Sequence, residues 1–181
     1  MHPAWLLKNV TAPAALVMVN LLLPPPQSDA KPQVPSAPVI QTSPETVNFH
    51  ALALQGNDLL AKAQAGGGSA AITLANYKAH YTMLTARTRS GGAELHQHYA
   101  DFLFAIAGEG TELTGGSIQN PKDSPDGEVR GTGLVGATSH LLRKGDVIHI
   151  PAGTPHQAIE APGQTITLYV VKVRESDTQP Q

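Results

Sequence analysis

The chain contains no cysteine, and this absence restricts its chemistry. Disulfide bonds, thiolate zinc sites, iron–sulfur clusters and a lipid-modified cysteine are all excluded. Any metal that the protein binds must therefore be held by nitrogen and oxygen ligands. Eight histidines are available to supply the nitrogen, so their positions decide whether such a site exists.

An excess of charge of one sign is also missing. The 181 residues include 12 lysines and arginines and 14 aspartates and glutamates, which gives a formal net charge of -2. No run of basic residues interrupts this balance. A nucleic-acid-binding surface needs clustered positive charge to contact phosphates, so the sequence argues against nucleic acid as a partner.

Long helical bundles are not expected, because 17 glycines and 15 prolines punctuate the chain. Both residue types disfavour helix interiors and favour turns. The hydrophobic fraction of 41% is nevertheless sufficient for a core. This combination predicts an all-β domain of short strands joined by turns.

The apolar run at residues 12–23 falls short of the ~20 residues needed to span a bilayer. Lys8 precedes this run, three prolines follow it, and Ser28-Asp29-Ala30 then provides a small-x-small cleavage site. This pattern predicts a secretory signal peptide over residues 1–30. The mature protein would then be periplasmic or secreted, without stable membrane insertion. A membrane anchor and a buried amphipathic strand or helix are the alternatives.

The segments after the leader differ in composition. Residues 31–44 carry spaced prolines among small polar residues, which predicts an extended linker or arm. Residues 45–75 form a lead-in to the main domain. Within it, Asn57 and Asp58 precede residues 59–64, which predicts a short capped helix that ends at a run of three glycines.

The remaining sequence predicts a barrel over residues 76–174 and a tail over residues 175–181. Apolar and polar residues alternate over 79–86 with the period of a strand. Residues 116–136 are polar and rich in glycine and proline, and they predict an insertion between strands. Further strands are predicted at 95–98, 102–107, 147–150 and 166–173.

Histidines cluster at two points of this domain. His96 and His98 lie two residues apart, and in a strand their side chains would share one face. Asp101 follows them. A third histidine, His156, lies after a strand and a Pro-x-Gly turn. Imidazole and carboxylate ligands together suit Zn, Mn, Fe, Ni or Cu.

These residues make the chain similar to the cupin superfamily over residues 76–174. The second cupin motif, G-x5-P-x-G-x2-H-x3-N, is matched from Gly145 through His156, with Glu160 at the asparagine position. The first motif, G-x5-H-x-H-x3–4-E-x6-G, is matched at His96, His98 and Gly108, with Asp101 at the glutamate position. Two departures occur in the first motif. The connection before Asp101 is one residue short, and Ser90 replaces the leading glycine.

The resemblance implies a single antiparallel double-stranded β-helix, the cupin jelly-roll barrel, with a short N-terminal helix. It also implies one divalent metal ion, such as Mn, Fe, Zn or Ni, held by His96, His98, His156 and Asp101. Because Asp101 is shorter than glutamate, Glu94 is an alternative carboxylate: it shares a strand face with His96. A metal-free pocket lined by histidines is the other possibility.

Further residues are candidates for the pocket. Tyr99 is the aromatic residue closest in sequence to the predicted ligands, and His149 and Glu160 lie near the second motif. Glu128 and Arg130 lie within the polar insertion. Such a pair is usually a solvated surface pair, although a loop at the barrel mouth could bring Arg130 over a carboxylate ligand.

The sequence leaves three functions open. The first is a metal-dependent enzyme, such as an oxygenase or isomerase, acting on a small organic molecule. The second is a non-catalytic module that binds a small molecule or a metal. The third is a metal-free structural barrel. The family resemblance further implies a homodimer, but one fold hosts many activities, so the fold cannot choose among these functions.

Overall fold

A computed structural model describes residues 38–175 of the chain. The predicted leader, the first half of the predicted linker and most of the predicted tail lie outside the described residues. No helix among residues 38–175 is long and apolar enough to cross a membrane. The described part contains one α-helix, α1 (Phe49–Ala65), followed by strands.

Twelve strands follow α1, and the all-β prediction is confirmed. Most of them form one antiparallel sheet in the order β1-β2-β12-β4-β11-β3-β7-β6, with β9 and β10 also paired to β4. The pair β5-β8 forms a separate two-stranded sheet. The strands are β1 (Ser69–Asn76), β2 (His80–Arg87), β3 (Ala93–His96), β4 (Tyr99–Thr114), β5 (Ser117–Gln119), β6 (Lys122–Ser124), β7 (Glu128–Gly131), β8 (Gly133–Val135), β9 (Thr138–Arg143), β10 (Val147–Ile150), β11 (His156–Ile159) and β12 (Ile166–Arg174).

The long strand β4 connects the two halves of the barrel. Its first half pairs with β12 and β10, and its second half pairs with β9 and β11. Gly108 separates the halves with φ +72°, a conformation that side chains other than glycine rarely adopt. A Cβ at this position would also collide with the backbone oxygen of Thr165. The glycine that ends the first histidine motif therefore allows one strand to serve both halves.

Successive side chains of the strands point to opposite faces, so the buried apolar residues form two clusters. The inner cluster lies inside the barrel and includes Leu103, Leu168 and Val170. The outer cluster includes Leu84 and Tyr169 and packs beneath α1. Each buried side chain of this size contributes about 1.5–3 kcal/mol relative to exposure.

The helix α1 begins ten residues before the predicted start. Asn48 caps it by accepting a hydrogen bond from the Ala51 backbone N–H at 3.0 Å, whereas Asn57 and Asp58 lie exposed in the helix interior. Gly56 allows the helix to approach β12, since a Cβ there would lie 2.6 Å from Thr167 Cγ2. Packing against the sheet therefore stabilises the helix at Gly56, although glycine disfavours helix interiors.

The predicted insertion at residues 116–136 contains four short strands. One of them, β7, pairs with β3 and extends the barrel sheet, and β6 pairs with β7 in turn. The polar composition of the segment gives no apolar alternation that would predict these strands: β6 is exposed, and β7 is mostly half-buried. The segment is therefore part of the barrel wall.

The outer cluster supplies a test of the packing. Replacing Leu84, which is fully buried, by alanine is expected to lower the free energy of unfolding by about 2–5 kcal/mol, because a cavity remains under α1. The matched change Leu54→Ala removes an exposed leucine from α1 and is expected to stay within about 0.5 kcal/mol. Urea denaturation measures both. Equal losses in the two variants would contradict this arrangement.

Candidate metal and ligand site

A cavity of about 300 Å³ lies inside the barrel. This volume equals that of about ten water molecules in the liquid, and it lies at the small end of the range for small-molecule sites. Part of its wall is apolar and includes Met83, Leu103, Leu168 and Val170. The charged and ionisable residues that line it are Arg87, Glu94, His96, Asp101, Glu112, Glu128, Arg130, His156 and Lys172.

The pairing of β3 with β7 brings four of these side chains together. Glu94 lies opposite Arg130, and His96 lies opposite Glu128. Residues two apart on a strand share a face, and directly opposed residues have Cβ atoms about 4.5–5.5 Å apart. The four side chains therefore meet on one patch of the cavity wall.

Glu128 determines which nitrogen of His96 carries a proton. Both carboxylate oxygens of Glu128 lie 2.7 Å from His96 Nδ1. A carboxylate accepts hydrogen bonds, so Nδ1 carries the hydrogen and donates it. With Nδ1 as the donor, Nε2 is the nitrogen whose lone pair can bind a metal ion. This atom is buried and has no hydrogen-bond partner among the described residues.

His156 presents the same tautomer from the next strand. Its Nδ1 donates a hydrogen bond to the Thr154 carbonyl oxygen at 3.0 Å, which leaves Nε2 as the unprotonated nitrogen. Burial lowers the pKa of His156 to about 4, so the ring is neutral near pH 7. The turn before His156 is fastened to the first motif, because the Gly153 N–H donates to the His96 carbonyl oxygen at 2.8 Å.

Glu94 completes a group that can hold a metal ion. Its carboxylate oxygens lie 3.9 Å from His96 Nε2 and 3.7 Å from His156 Nε2. One ligand atom from each of the three residues lies within 4.8 Å of the others. Ligands about 2.0–2.2 Å from a tetrahedral ion are about 3.4 Å apart, so a small contraction would close this group around one. The converging lone pairs and the orphaned His96 Nε2 fit a divalent metal.

Asp101 is close to this group but is already paired. Its Oδ2 lies 3.6 Å from the Nε2 atoms of both His96 and His156. Both of its carboxylate oxygens accept hydrogen bonds from Lys172 Nζ at 2.7 Å. Burial lowers the pKa of Lys172, and the charge of Asp101 opposes this effect. Glu94 is thus the carboxylate of the metal-capable group and Asp101 pairs with a buried ammonium, and the role of Asp101 as a metal ligand stays a prediction.

His98 lies apart from the group. The strand β3 ends at His96, and His98 occupies the bend before β4, so strand alternation does not place the two rings on one face. The His98 ring lies against Gly127, where a Cβ would be 3.1 Å from Nε2. Its role as a metal ligand stays a prediction.

The other candidate pocket residues also lie away from the cavity lining. Tyr99 packs edge-on against Tyr81 and accepts a hydrogen bond from Arg174. His149 is exposed and stacks on Phe102 at 4.3 Å between ring centroids. Glu160 is buried outside the cavity lining, and burial raises its pKa to about 7.

Glu128 and Arg130 turn out to belong to the site. Arg130 pairs with Glu94 and also with Glu128, at 2.9 Å from Nη2 to Oε2. The guanidinium is half exposed and lies at the cavity mouth, over the candidate ligand Glu94. This matches the alternative in which a segment at the barrel mouth brings Arg130 over a carboxylate ligand. The spacing of Glu128 and Arg130, two residues apart, was the available signal. Their partners depend on the strand register, which the sequence does not reveal.

Comparison with known proteins identifies the fold. No family model and no curated protein matches the chain. The structure is similar to a Bacillus halodurans protein, BH2720, with a TM-score of 0.52 and 17% identity over 80% of this chain and 92% of that one. Together with the strand topology, this confirms the predicted double-stranded β-helix, and the resemblance to cupins holds at the level of fold.

Two further similar structures carry that fold in their descriptions. The cupin domain of Schizosaccharomyces pombe Cnp3 aligns with a TM-score of 0.44 and 10% identity over 59% of this chain, which spans 61% of that domain. A double-stranded β-helix protein of Klebsiella pneumoniae aligns with a TM-score of 0.44 and 15% identity, over 60% of this chain and 79% of that one. At these identities the likeness concerns the fold alone.

The Lys172–Asp101 pair supplies a test of buried charge. In metal-free protein, Lys172→Met is expected to lower the free energy of unfolding by about 3–5 kcal/mol, because it leaves a buried carboxylate unpaired. The double variant Lys172→Met/Asp101→Asn is expected to recover part of this loss. The exposed pair Arg143–Glu109 is the matched control, and Arg143→Met is expected to cost about 0–1 kcal/mol. Urea denaturation that gives equal costs for the two single variants would contradict this assignment.

Proposed function

We propose that the protein is a divalent-metal-dependent enzyme that acts on a small organic molecule held in the barrel cavity. One observation carries this proposal: the Nε2 atoms of two buried imidazoles and the carboxylate of Glu94 converge at the wall of the cavity. His96, His156 and Glu94 would hold the ion. A bound divalent ion supplies a Lewis acid that polarises an oxygen of the substrate.

The residues around this group support the proposal by fixing its geometry. Glu128 accepts from His96 Nδ1 and so orients the ring, an arrangement that metal-binding histidines commonly show. Arg130 in turn holds Glu128 and Glu94 from the mouth. Apolar side chains line part of the cavity, and the lower local dielectric that they create strengthens electrostatic interactions at the site. An oxygenase and an isomerase are the reaction classes that we put forward.

A second candidate function is a metal-free barrel that binds a small ligand. The specific observation in its favour is that three cations already balance three carboxylates of the cavity: Lys172 binds Asp101, Arg130 binds Glu94 and Glu128, and Arg87 lies 4.0 Å from Glu94. The cavity is therefore electrically compensated without an ion. Metal analysis separates this candidate from the first.

The metal site is tested on protein purified without an affinity tag or chelator. We expect about one divalent ion per chain by mass spectrometry of the metals, and loss of that ion in His96→Ala, His156→Ala and Glu94→Gln. His149→Ala is the matched control, because it removes an exposed imidazole remote from the cavity. Glu128→Gln is expected to weaken the metal affinity about 10–100-fold, because it removes the orienting acceptor.

The outcomes of this experiment are distinct. A wild-type protein that neither contains nor takes up Mn, Fe, Zn or Ni rejects the metal-dependent function and leaves the metal-free barrel. Retention of metal in both histidine variants rejects the assigned ligands. Loss of metal in His98→Ala but not in Glu94→Gln would favour the ligand set expected from the cupin motifs.

We also propose that the protein is exported. Support comes from Lys8, the apolar run at residues 12–23 and the small residues around Ala30, which together form a signal-peptide pattern. Expression in the source cell is expected to yield a mature chain that starts near Lys31 in the extracytoplasmic fraction. Mass spectrometry of the N-terminus checks this, and a cytoplasmic chain that retains Met1 would show the proposal to be wrong.

A further inference from the structure

Two of the three cations that line the cavity already form short ion pairs with carboxylates. Lys172 donates to both oxygens of Asp101 at 2.7 Å. Arg130 contacts Glu94 and Glu128 at the cavity mouth. Neither cation is available to an incoming ligand without breaking an ion pair that is already formed.

Arg87 is the third cation, and its guanidinium is not engaged in this way. It makes no side-chain hydrogen bond among residues 38–175, and its ion pair with Glu94 is loose, at 4.0 Å from Nη2 to Oε1. The side chain is 23% exposed and lies on the cavity wall, against the backbone of Gly91. The guanidinium therefore offers unused N–H donors to a partner that enters the cavity.

Glu112 is not that partner. This carboxyl also lines the cavity and is 3% exposed, but no ion pair within 4.0 Å joins it to Arg87 in the described part of the chain. Burial raises the pKa of Glu112 to about 8, and the charge of Arg87 opposes this rise without cancelling it. At neutral pH the Glu112 carboxyl is protonated and can donate a hydrogen bond.

With a divalent ion bound, the balance of charge around the cavity calls for an anion. With Glu112 neutral, the three carboxylates Asp101, Glu94 and Glu128 oppose three cations, and a divalent ion at the histidines would add two positive charges. We propose that Arg87 forms an anion subsite and that the ligand of this cavity is a small organic carboxylate. Its carboxylate binds the Arg87 guanidinium, and the rest of the molecule extends along the apolar wall.

The geometry favours a carboxylate over a phosphate. One guanidinium offers two parallel N–H donors that match the two oxygens of a carboxylate. A phosphate dianion would require a second free cation, and the other cations of the cavity are paired. The cavity volume of about 300 Å³ restricts the ligand to a small molecule. This inference deepens the proposed function for the metal-bound protein, but the anion subsite itself can be tested without metal.

The test compares carboxylates with their uncharged amides. Acetate, butyrate and benzoate are each titrated against acetamide, butyramide and benzamide, in metal-free and in Zn²⁺-loaded protein. The Arg87 Nε–H resonance in ¹⁵N NMR reports occupation of the guanidinium. We expect at least one acid to shift this resonance with an affinity at least tenfold higher than that of its amide. Arg87→Lys is expected to keep part of the preference for acids, and Arg87→Gln is expected to abolish it.

Arg89→Gln is the matched control for the loss of charge. Arg89 lies two residues further along and donates to the Gly66 carbonyl oxygen at the surface, outside the cavity lining. It is expected to leave the acid preference unchanged. Binding is also followed by calorimetry, which reports on the variants that lack the Arg87 resonance, and far-UV circular dichroism confirms that they fold.

The following results would overturn the proposal. Equal binding of acids and amides to the wild-type protein, or an acid preference retained in Arg87→Gln, removes the subsite. A stronger shift with inorganic phosphate than with any acid removes the carboxylate assignment. Metal content is measured on the same samples. An acid preference without metal uptake rejects the metal-dependent function alone, whereas metal uptake without an acid preference rejects this inference alone.

Discussion

The need to neutralise charge inside a barrel governs the arrangement of this site. Burying an unpaired charge costs far more than burying an apolar side chain of the same size, so each buried ion requires a partner. Lys172 and Asp101 meet this requirement across β12 and β4. Glu94, Glu128 and Arg130 meet it across β3 and β7. The charged groups that are not held in such pairs are the ones that can bind a ligand.

This pairing of charges also gives Asp101 and Glu94 different roles. Asp101 lies close to both imidazoles, but its two oxygens are occupied by a single ammonium group. Glu94 is held by a half-exposed guanidinium at the mouth, which can shift more readily than a buried lysine. The carboxylate that is less firmly held is therefore the one placed among the metal-capable atoms.

Strand register is the mechanism that assembles these groups. A shift of one residue between β3 and β7 would turn Glu128 and Arg130 away from the cavity, because successive side chains point to opposite faces. His96 would then lose the acceptor that orients its ring. The register is supported by the turn at Gly153, whose N–H is bonded to the His96 carbonyl oxygen, and by the bend of β4 at Gly108.

The sequence by itself determined the class of fold, the exclusion of thiolate ligands and a set of three candidate histidines that includes the two that converge. Those conclusions rest on composition and on spacing within short segments, which do not depend on the tertiary arrangement. Local patterns also located most strands, although they missed the start of α1, where packing on the sheet outweighs a glycine, and the strands hidden in a polar segment.

Only the tertiary structure decided which residues complete the site. Glu94 lies in the metal-capable group, and Asp101, whose role as a ligand stays a prediction, pairs with Lys172, 71 residues away in sequence. Glu128 orients His96 from 32 residues away, and Arg87 keeps only a loose ion pair with Glu94, at 4.0 Å, among the described residues. These outcomes depend on pairing between distant strands and on burial. Neither is encoded in the spacing of neighbouring residues.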